Sequence, residues 1–192
     1  MHAEGLAHSD LSYKNCLVSP TDGAACLIDI DGLVVPGRFP PDVLGTKGFI
    51  APEVISTMQL PKRDRNRVLP SRKTDLHALA VLIYNYLLYR HPLEGRKVHD
   101  EDAERDEELQ MGAKALFVEH PTDKSNKPNP ADCRKGSKPF CDVGKIPYTI
   151  TGPYLTKLFD RAFIDGLHNP DLRPIASEWE TALVKTVDLL QR

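Results

Sequence analysis

The stretch "AHSDLSYKNCLVSPTDGAACLIDIDG", residues 7–32, decides the fold of this 192-residue chain. Two short apolar segments, "NCLVS" and "AACLIDI", are joined by "PTDG", and Pro with Asp-Gly in such a connection predicts a β-hairpin. His8, Asp10 and Asn15 come immediately before the hairpin, and Asp29 follows it. The stretch therefore predicts a hairpin with polar side chains at its entrance and its exit.

The chemistry of these side chains indicates a magnesium and phosphate site. Asp10, Asn15 and Asp29 supply carboxylate and amide oxygens, and Mg²⁺ prefers oxygen ligands and takes the rest of its shell from water and phosphate. A further carboxylate beside such an ion can accept a proton from a hydroxyl nucleophile. The pattern therefore predicts phosphoryl transfer, in which a protein mainly positions groups and stabilises charge.

Four segments in order resemble a known family, the protein kinases. "HSDLSYKN" resembles the catalytic loop H-R-D-L-x-x-x-N, and "GTKGFIAPEV" (45–54) resembles the end of the activation segment with its A-P-E motif. "TDLHALAVLIYNYLLYRHPL" resembles the long central helix of the C-terminal lobe, and "NPDLRPIASEW" resembles a later segment that carries a pairing arginine. Because "DID" (29–31) stands where D-F-G is usual, the resemblance is to divergent bacterial kinase-like proteins with D-x-D.

The resemblance implies roles for the residues around the hairpin. Asp10 would be the catalytic base, and Lys14 would contact the transferred phosphate, with a simple surface lysine as the alternative. Asn15 and Asp29 would hold Mg²⁺, and Asp31 is the alternative ligand to Asp29. The implied cofactors are ATP and Mg²⁺.

The resemblance also implies roles outside the metal site. Thr46 would position the substrate on the activation segment, and Glu53 would form a buried ion pair with Arg173. His8 would pack and hydrogen-bond within the catalytic loop. Asp75 would cap its own helix and tie that helix to the backbone of residues 8 and 9.

The predicted fold class is mainly α with a small β-hairpin, as in the C-terminal lobe of a protein kinase-like fold. The apolar residues of the central helix occupy every face, which predicts a buried helix that Thr74 or Asp75 caps and Pro92 ends. Within the insert we expect an acidic, solvated helix end and then an exposed loop of low order. One domain, 1–192, would contain a catalytic loop 7–15, a hairpin 16–32, an activation segment 29–53, a central helix 74–90, an insert 94–147 and C-terminal helices 152–192.

The N-terminal lobe of the family has no counterpart in this sequence. A glycine-rich loop, a strand lysine and its partner glutamate would precede the catalytic loop, but only seven residues precede His8. The family holds the adenine between its lobes and the α- and β-phosphates on the N-terminal lobe. We therefore expect that this chain alone neither binds ATP tightly nor transfers phosphate, and that its exposed lobe interface favours self-association.

Three functions compete on the sequence. The first is a serine/threonine protein kinase represented by its catalytic C-terminal lobe. The second is a small-molecule phosphotransferase of the aminoglycoside-kinase type, which shares H-x-D-x-x-x-x-N but lacks the "GTKGFIAPEV" platform and the arginine that braces it. The third is a non-catalytic pseudokinase that acts as an interaction module.

Composition limits the partners. The net charge of −2 gives no strong attraction to nucleic acid or anionic membrane. The longest apolar run, residues 76–89, is shorter than the roughly 20 residues that a membrane helix needs. The four cysteines show no disulfide framework and are expected to be reduced thiols. These features predict a cytoplasmic protein that binds neither nucleic acid nor membrane. The resemblance implies ATP and a protein substrate as its partners.

Overall fold

The computed structural model describes residues 1–35, 44–131 and 142–191. Its secondary structure is mainly helical with one two-stranded antiparallel sheet, which confirms the predicted fold class. Short 3-10 turns cover His2–Glu4, Ile30–Gly32, Tyr148–Thr151 and Pro170–Leu172. The remaining elements are β1 (Cys16–Val18), β2 (Ala25–Leu27), α1 (Pro52–Ile55), α2 (Arg72–Leu88), α3 (Ala103–Met111), α4 (Pro153–Asp160), a π-helical turn (Arg161–Asp165) and α5 (Ala176–Leu190).

The predicted hairpin is present, with strands shorter than the apolar segments. Cys16 pairs with Leu27 across β1 and β2, and one further rung joins the Ile28 N–H to the Asn15 carbonyl at 3.0 Å. At the other end, the Ser19 N–H donates to the Ala24 carbonyl at 2.8 Å. The open end of the hairpin is therefore the end that carries the predicted site residues.

Helix α2 is the buried central helix, but its bounds differ from the predicted ones. Ser71 is the N-cap, because its N–H donates to Thr74 Oγ1 at 2.9 Å while the Thr74 hydroxyl donates back to the Ser71 carbonyl at 2.8 Å. The helix therefore starts before Thr74 and Asp75, which both lie in its first turn. It ends at Tyr89, which has a left-handed φ of 53°, and not at Pro92.

The core is an aromatic cluster around Tyr84 of α2. The ring centroid of Tyr84 lies 5.8 Å from Phe117, 5.2 Å from Phe159 and 5.6 Å from Phe163, each in an edge-to-face arrangement. Trp179 of α5 extends the cluster, with its centroid 5.2 Å from that of Phe159. Edge-to-face pairs add about 0.5–1.5 kcal/mol each beyond their area burial. One cluster thus joins α2, α4, α5 and the predicted insert.

A buried polar network also fixes the insert to α2. Glu119 pairs with Arg90, accepts from the Tyr84 hydroxyl at 2.6 Å and accepts from the Tyr148 N–H at 2.9 Å. The Arg90 and Glu119 side chains are each only 6% exposed, so the charges are neutralised inside the fold. Burial is the main cause that raises the pKa of Tyr84, which therefore remains a hydrogen-bond donor.

The expectation of an exposed loop in the second half of the insert is wrong for residue 126. Asn126 is 1% exposed, and its amide donates to the carbonyls of Leu93 at 3.0 Å and Leu116 at 2.6 Å. A Cβ at Gly95 would lie 1.8 Å from the Asn126 carbonyl oxygen, so glycine is needed for this close approach. The acidic run belongs to α3, where Asp102 caps the helix by accepting from the Arg105 N–H at 2.8 Å.

Two observations bear on the composition-based predictions. Across the described segments, no helix is both long and apolar enough to cross a membrane. Cys16 and Cys26 are free thiols, whereas Cys133 and Cys141 lie outside the described residues.

His77 is a buried histidine in α2. Its residue is 1% exposed, and neither ring nitrogen has a hydrogen-bond partner among the described residues. Burial, and then the nearby positive charge of Arg173, holds the pKa of His77 well below its usual value of 6.5. The folded protein therefore keeps this ring neutral at pH values where the unfolded chain binds a proton.

We expect the free energy of unfolding to fall as the pH is lowered through about 6.5, by up to about 1.4 kcal/mol per pH unit from this group. The sign follows because the folded pKa is the lower one, so the contribution is complete above the unfolded pKa and is lost toward acid. His77→Leu should flatten this slope in urea titrations between pH 8 and pH 5. His77→Asn, which cannot titrate in this range but stays polar, should flatten it as well; an unchanged slope in both variants would contradict the assignment.

Candidate functional site

The catalytic loop is held in an unusual backbone conformation. Ala7 forms an antiparallel bridge with Val34, with N–H to carbonyl distances of 3.0 and 2.8 Å. Ser9 has a left-handed φ of 66°, which is uncommon for a non-glycine residue. Its hydroxyl donates to the Gly32 carbonyl at 2.7 Å. The loop is thereby attached to the segment that follows the hairpin.

The carboxylate of Asp75 fixes the same loop to α2. One oxygen accepts from the His8 N–H at 2.7 Å, and the other accepts from the Ser9 N–H at 3.0 Å. The predicted contact is therefore confirmed. The His2 ring nitrogen Nε2 lies 2.9 Å from the same carboxylate, which is 2% exposed. The prediction that Asp75 caps its own helix is wrong, because Ser71 and Thr74 cap the helix and both Asp75 oxygens bind the loop.

His8 is buried and contacts the hairpin. It is fully buried, and its Nε2 lies 3.0 Å from the Ile28 carbonyl, so Nε2 carries the proton and donates. The ring therefore links the catalytic loop to the residue before Asp29. This contact agrees with the predicted packing and hydrogen-bonding role of His8.

Asp10 and Asn15 are brought together. The Asn15 amide donates to the Asp10 backbone carbonyl at 2.8 Å and to the Asp10 Oδ2 at 3.0 Å. Asp10 Oδ1 is buried and has no hydrogen-bond partner within the described ranges. A buried carboxylate oxygen without a hydrogen-bond partner destabilises a folded protein. Its presence therefore indicates an oxygen that is available to a ligand or a proton.

The end of the activation segment lies against Asp10 because residue 45 is glycine. Gly45 has a φ of +116°, and a Cβ there would lie 3.0 Å from the Ser9 carbonyl oxygen and 3.3 Å from the Ile50 side chain. A side chain here would strain the backbone and require its neighbours to shift by a few tenths of an ångström. Asp10 and Thr46 line one small hollow between the loop and the segment.

The remaining predicted residues lie at the exit of the hairpin or on the surface. Asp29 is exposed and has a left-handed φ of 58° at the start of the Ile30–Gly32 turn. The rung between Asn15 and Ile28 places Asp29 one residue beyond the pairing partner of Asn15. Asp31 and Lys14 are exposed. Their grouping around a metal and phosphate stays a prediction.

The donor set fits a magnesium ion that arrives with phosphate. The described segments contain no group of three His, Cys, Asp or Glu residues that could hold a metal by itself. Asn15 and Asp29 offer one amide oxygen and one carboxylate, and Mg²⁺ in nucleotide sites commonly takes few protein ligands with water and phosphate. The donor chemistry therefore fits a nucleotide-bound Mg²⁺ better than a permanent metal centre.

The predicted ion pair between Glu53 and Arg173 is present and bidentate. Arg173 is 3% exposed, and its two terminal nitrogens each donate to one Glu53 oxygen at 2.8 Å. Its other N–H groups donate to three backbone carbonyls, those of Gly166 at 2.9 Å, Lys73 at 2.9 Å and Leu167 at 3.1 Å. All five guanidinium donors are thus used.

Two positioning contacts were missed by sequence reasoning. Ser9 was given no role from the sequence, yet its hydroxyl donates to the Gly32 carbonyl. His91 was not considered, yet its Nε2 lies 2.8 Å from the Gly48 carbonyl and its Nδ1 accepts from the Leu93 N–H at 3.1 Å. Nothing in the local pattern around His91 signals this contact, because Gly48 is distant in the chain.

Comparison with known proteins identifies one family. The family model described as protein kinase domain matches residues 1–158 of the 192. No curated protein matches the chain.

Removing Arg173 should strongly destabilise the fold. We expect Arg173→Leu to lower the free energy of unfolding by about 3–5 kcal/mol, because Glu53 would keep a largely buried charge without its partner. The matched control is Arg161→Leu, since Arg161 also makes a bidentate pair, with Glu178, but their side chains are 34% and 37% exposed. That control should cost about 1 kcal/mol or less in urea unfolding.

If Arg173→Leu does not fold, Glu53→Gln keeps the shape and one acceptor and gives a smaller, measurable loss. Equal losses for Arg173→Leu and Arg161→Leu would contradict the importance of the buried pair.

Replacing Asp75 should release the catalytic loop. Asp75→Asn exchanges one acceptor for a donor that would face a backbone N–H, so we expect a loss of about 1–3 kcal/mol. Amide hydrogen exchange at His8 and Ser9 should accelerate at the same time. Asp102→Asn is the control, because asparagine caps a helix as well as aspartate. Unchanged exchange at residues 8 and 9 would show that the carboxylate does not hold the loop.

Proposed function

Because this chain belongs to the protein kinase family, we propose that its site transfers the γ-phosphoryl group of ATP to serine and threonine hydroxyls of protein substrates. The observation that carries this proposal is the arrangement of Asp10 and Asn15. Asn15 holds one carboxylate oxygen of Asp10, and the other oxygen has no partner in the described part of the chain.

Asp10 is the proposed catalytic base. The two hydrogen bonds from Asn15 fix both its backbone and its Oδ2, which leaves Oδ1 to accept the proton of a substrate hydroxyl. Thr46 lines the same hollow as Asp10 and is the proposed contact for the substrate backbone or hydroxyl. The buried Asp75 supports this geometry, because its carboxylate accepts hydrogen bonds from the backbone N–H groups of His8 and Ser9.

Asn15 and Asp29 are the proposed ligands of Mg²⁺, with Asp31 as the alternative to Asp29. When bound, Mg²⁺ neutralises phosphate charge and ATP supplies the phosphoryl group. Lys14 is exposed beside this region and is proposed to contact the transferred phosphate. The exposed position of Asp29 is compatible with a ligand that arrives from solvent.

A protein substrate is favoured over a small molecule by the rigid end of the activation segment. Glu53 is clamped by Arg173, and Gly48 is held by His91. These contacts fix residues on both sides of Ile50 in a stable surface beside Asp10. A small-molecule substrate does not need such a surface, whereas an extended peptide substrate is bound along one. The intact Asp10–Asn15 pair likewise favours catalysis over a purely non-catalytic module.

The hairpin leaves an apolar surface in solvent. Six side chains here are between 37% and 58% exposed, namely Leu17, Val18, Leu27, Ile28, Ile30 and Leu33. Exposed apolar side chains are a common site of association. This exposure supports the expectation that the chain self-associates through the predicted lobe interface, and a strictly monomeric chain in sedimentation velocity at high concentration would contradict it.

The proposed activity is tested by phosphate transfer from labelled ATP to peptides that contain serine, threonine or tyrosine. The assay uses the 192-residue chain and the longest product that its gene encodes. For the chain alone we expect neither tight ATP binding in calorimetry nor turnover. For any active product, label should appear on serine or threonine, and Asp10→Asn should lower kcat by about 10²–10⁴-fold.

Asp22→Asn is the matched control, because Asp22 lies in the exposed turn at the far end of the hairpin. Activity that is unchanged in Asp10→Asn would show that Asp10 is not the catalytic base. Transfer of phosphate to a small alcohol but not to peptides would show that the substrate is a small molecule and not a protein.

A further inference from the structure

The segment that leads from α1 into α2 has a high density of positive charge. Residues 61–73, "PKRDRNRVLPSRK", contain six Lys and Arg side chains but only one acid, Asp64. This basic segment therefore carries a charge of +5, whereas the chain as a whole has a net charge of −2. None of these charged side chains has a role in the transfer chemistry proposed above.

The middle of the basic segment is an ordered turn. The Asp64 N–H donates to the Pro61 carbonyl at 2.8 Å, and Asp64 Oδ1 accepts from the Asn66 N–H at 2.8 Å. The one acid of the segment is thus used to close the turn. Because the backbone that carries Arg63 and Arg65 is already ordered, a ligand that binds these side chains orders little further chain.

Two contacts attach this turn to the residues that follow α1. Arg67 Nη1 donates to the Leu60 carbonyl at 2.6 Å, and the Val68 N–H donates to Thr57 Oγ1 at 2.9 Å. Arg67 Nε is buried and has no hydrogen-bond partner among the described residues. Unlike Arg173, whose donors are all used, Arg67 therefore has guanidinium donors left for an oxygen-rich ligand.

The arginines of the turn are exposed and are not neutralised by an acid. Neither Arg63 nor Arg65 has an ion-pair partner in the part of the chain that the structure describes. Lys73, at the end of the basic segment, differs in this respect because it pairs with Asp171. Like charges on one turn repel each other, and a bound anion relieves that repulsion. The turn therefore favours an anionic partner.

We propose that the basic segment binds a phosphorylated segment of a partner protein. Four of its six cations are arginines, and a guanidinium presents paired N–H donors that match two phosphate oxygens. A phosphoserine carries nearly two negative charges and three acceptor oxygens, so it can bind two arginines at once. A carboxylate side chain has a single charge and two oxygens, and it binds less tightly.

The composition of the basic segment disfavours two other anionic partners. Residues 61–73 contain no aromatic side chain on which a nucleic-acid base could stack. All of these residues are described, and none is an exposed large apolar side chain that could enter a lipid surface. A phosphorylated protein segment requires neither feature.

The test is a titration by fluorescence anisotropy of the 192-residue chain into a labelled peptide, without nucleotide. The peptide has about 12 residues of glycine and alanine and carries two phosphoserines separated by one alanine. Matched peptides carry serine or glutamate at both positions. The phosphopeptide should bind at least about tenfold tighter than the glutamate peptide, and its affinity should fall as the salt concentration is raised.

Matched variants assign the binding to the turn. Arg63→Gln with Arg65→Gln should weaken phosphopeptide binding at least about tenfold, because two charge-assisted contacts are lost. Arg63→Lys with Arg65→Lys keeps the charge but loses the paired donors, and should weaken binding about 3- to 10-fold. The control Lys157→Gln with Lys185→Gln removes two exposed charges on α4 and α5 and should have no effect. Thermal unfolding should be unchanged in all three, since the substitutions are at the surface.

Several results would overturn the proposal. One is equal affinity for the phosphopeptide and the glutamate peptide, including no binding of either. Unchanged binding in either arginine variant, or an equal loss in the lysine control, would show that only general charge attraction acts. Tighter binding to a labelled DNA strand of about 20 nucleotides, or to vesicles with about one-fifth phosphatidylserine, would indicate another class of partner. Because the titration involves no phosphate transfer, its outcome does not depend on the proposed kinase function.

Discussion

The buried carboxylate of Asp75 is the interaction on which the site geometry depends. Two backbone N–H groups of the catalytic loop, those of His8 and Ser9, converge on it at 2.7 and 3.0 Å. Two backbone N–H groups that converge on one point need an acceptor at that point. Regular secondary structure does not supply it here, because the loop contains a left-handed residue. A charged group at the start of the most buried helix supplies it. The orientation of Asp10 follows from this contact.

The buried charges of the scaffold are paired, whereas one carboxylate oxygen of Asp10 is unsatisfied. Arg173 uses all its donors on Glu53 and backbone carbonyls, and Glu119 is bound by Arg90 and two tyrosines. By contrast, Asp10 Oδ1 has no partner within the described ranges. A carboxylate oxygen that stays unpaired in a fold whose other buried charges are neutralised is arranged for a ligand or a proton.

The sequence predicted those features that depend on composition or on a family pattern. The hairpin was readable from its turn residues, α2 from its apolar length, and the pair of Glu53 and Arg173 from the motifs that carry them. The Ser9 conformation and the Gly48–His91 contact were not readable, because φ and long-range contacts depend on neighbours that are far apart in the chain. The buried position of Asn126 was missed for the same reason, since the polar composition around it indicated an exposed loop.

The contact between Glu53 and Arg173 also has a consequence for synthesis of the protein. The two residues are 120 positions apart, so Glu53 leaves the ribosome long before its partner exists. At bacterial or eukaryotic elongation rates of 5–20 residues per second, this interval is roughly 6–24 s. During that time the carboxylate is solvated and the segment from Gly45 onward has no anchor at its C-terminal end. The segment from Gly45 to Glu53 therefore reaches its final position only after Arg173 has emerged.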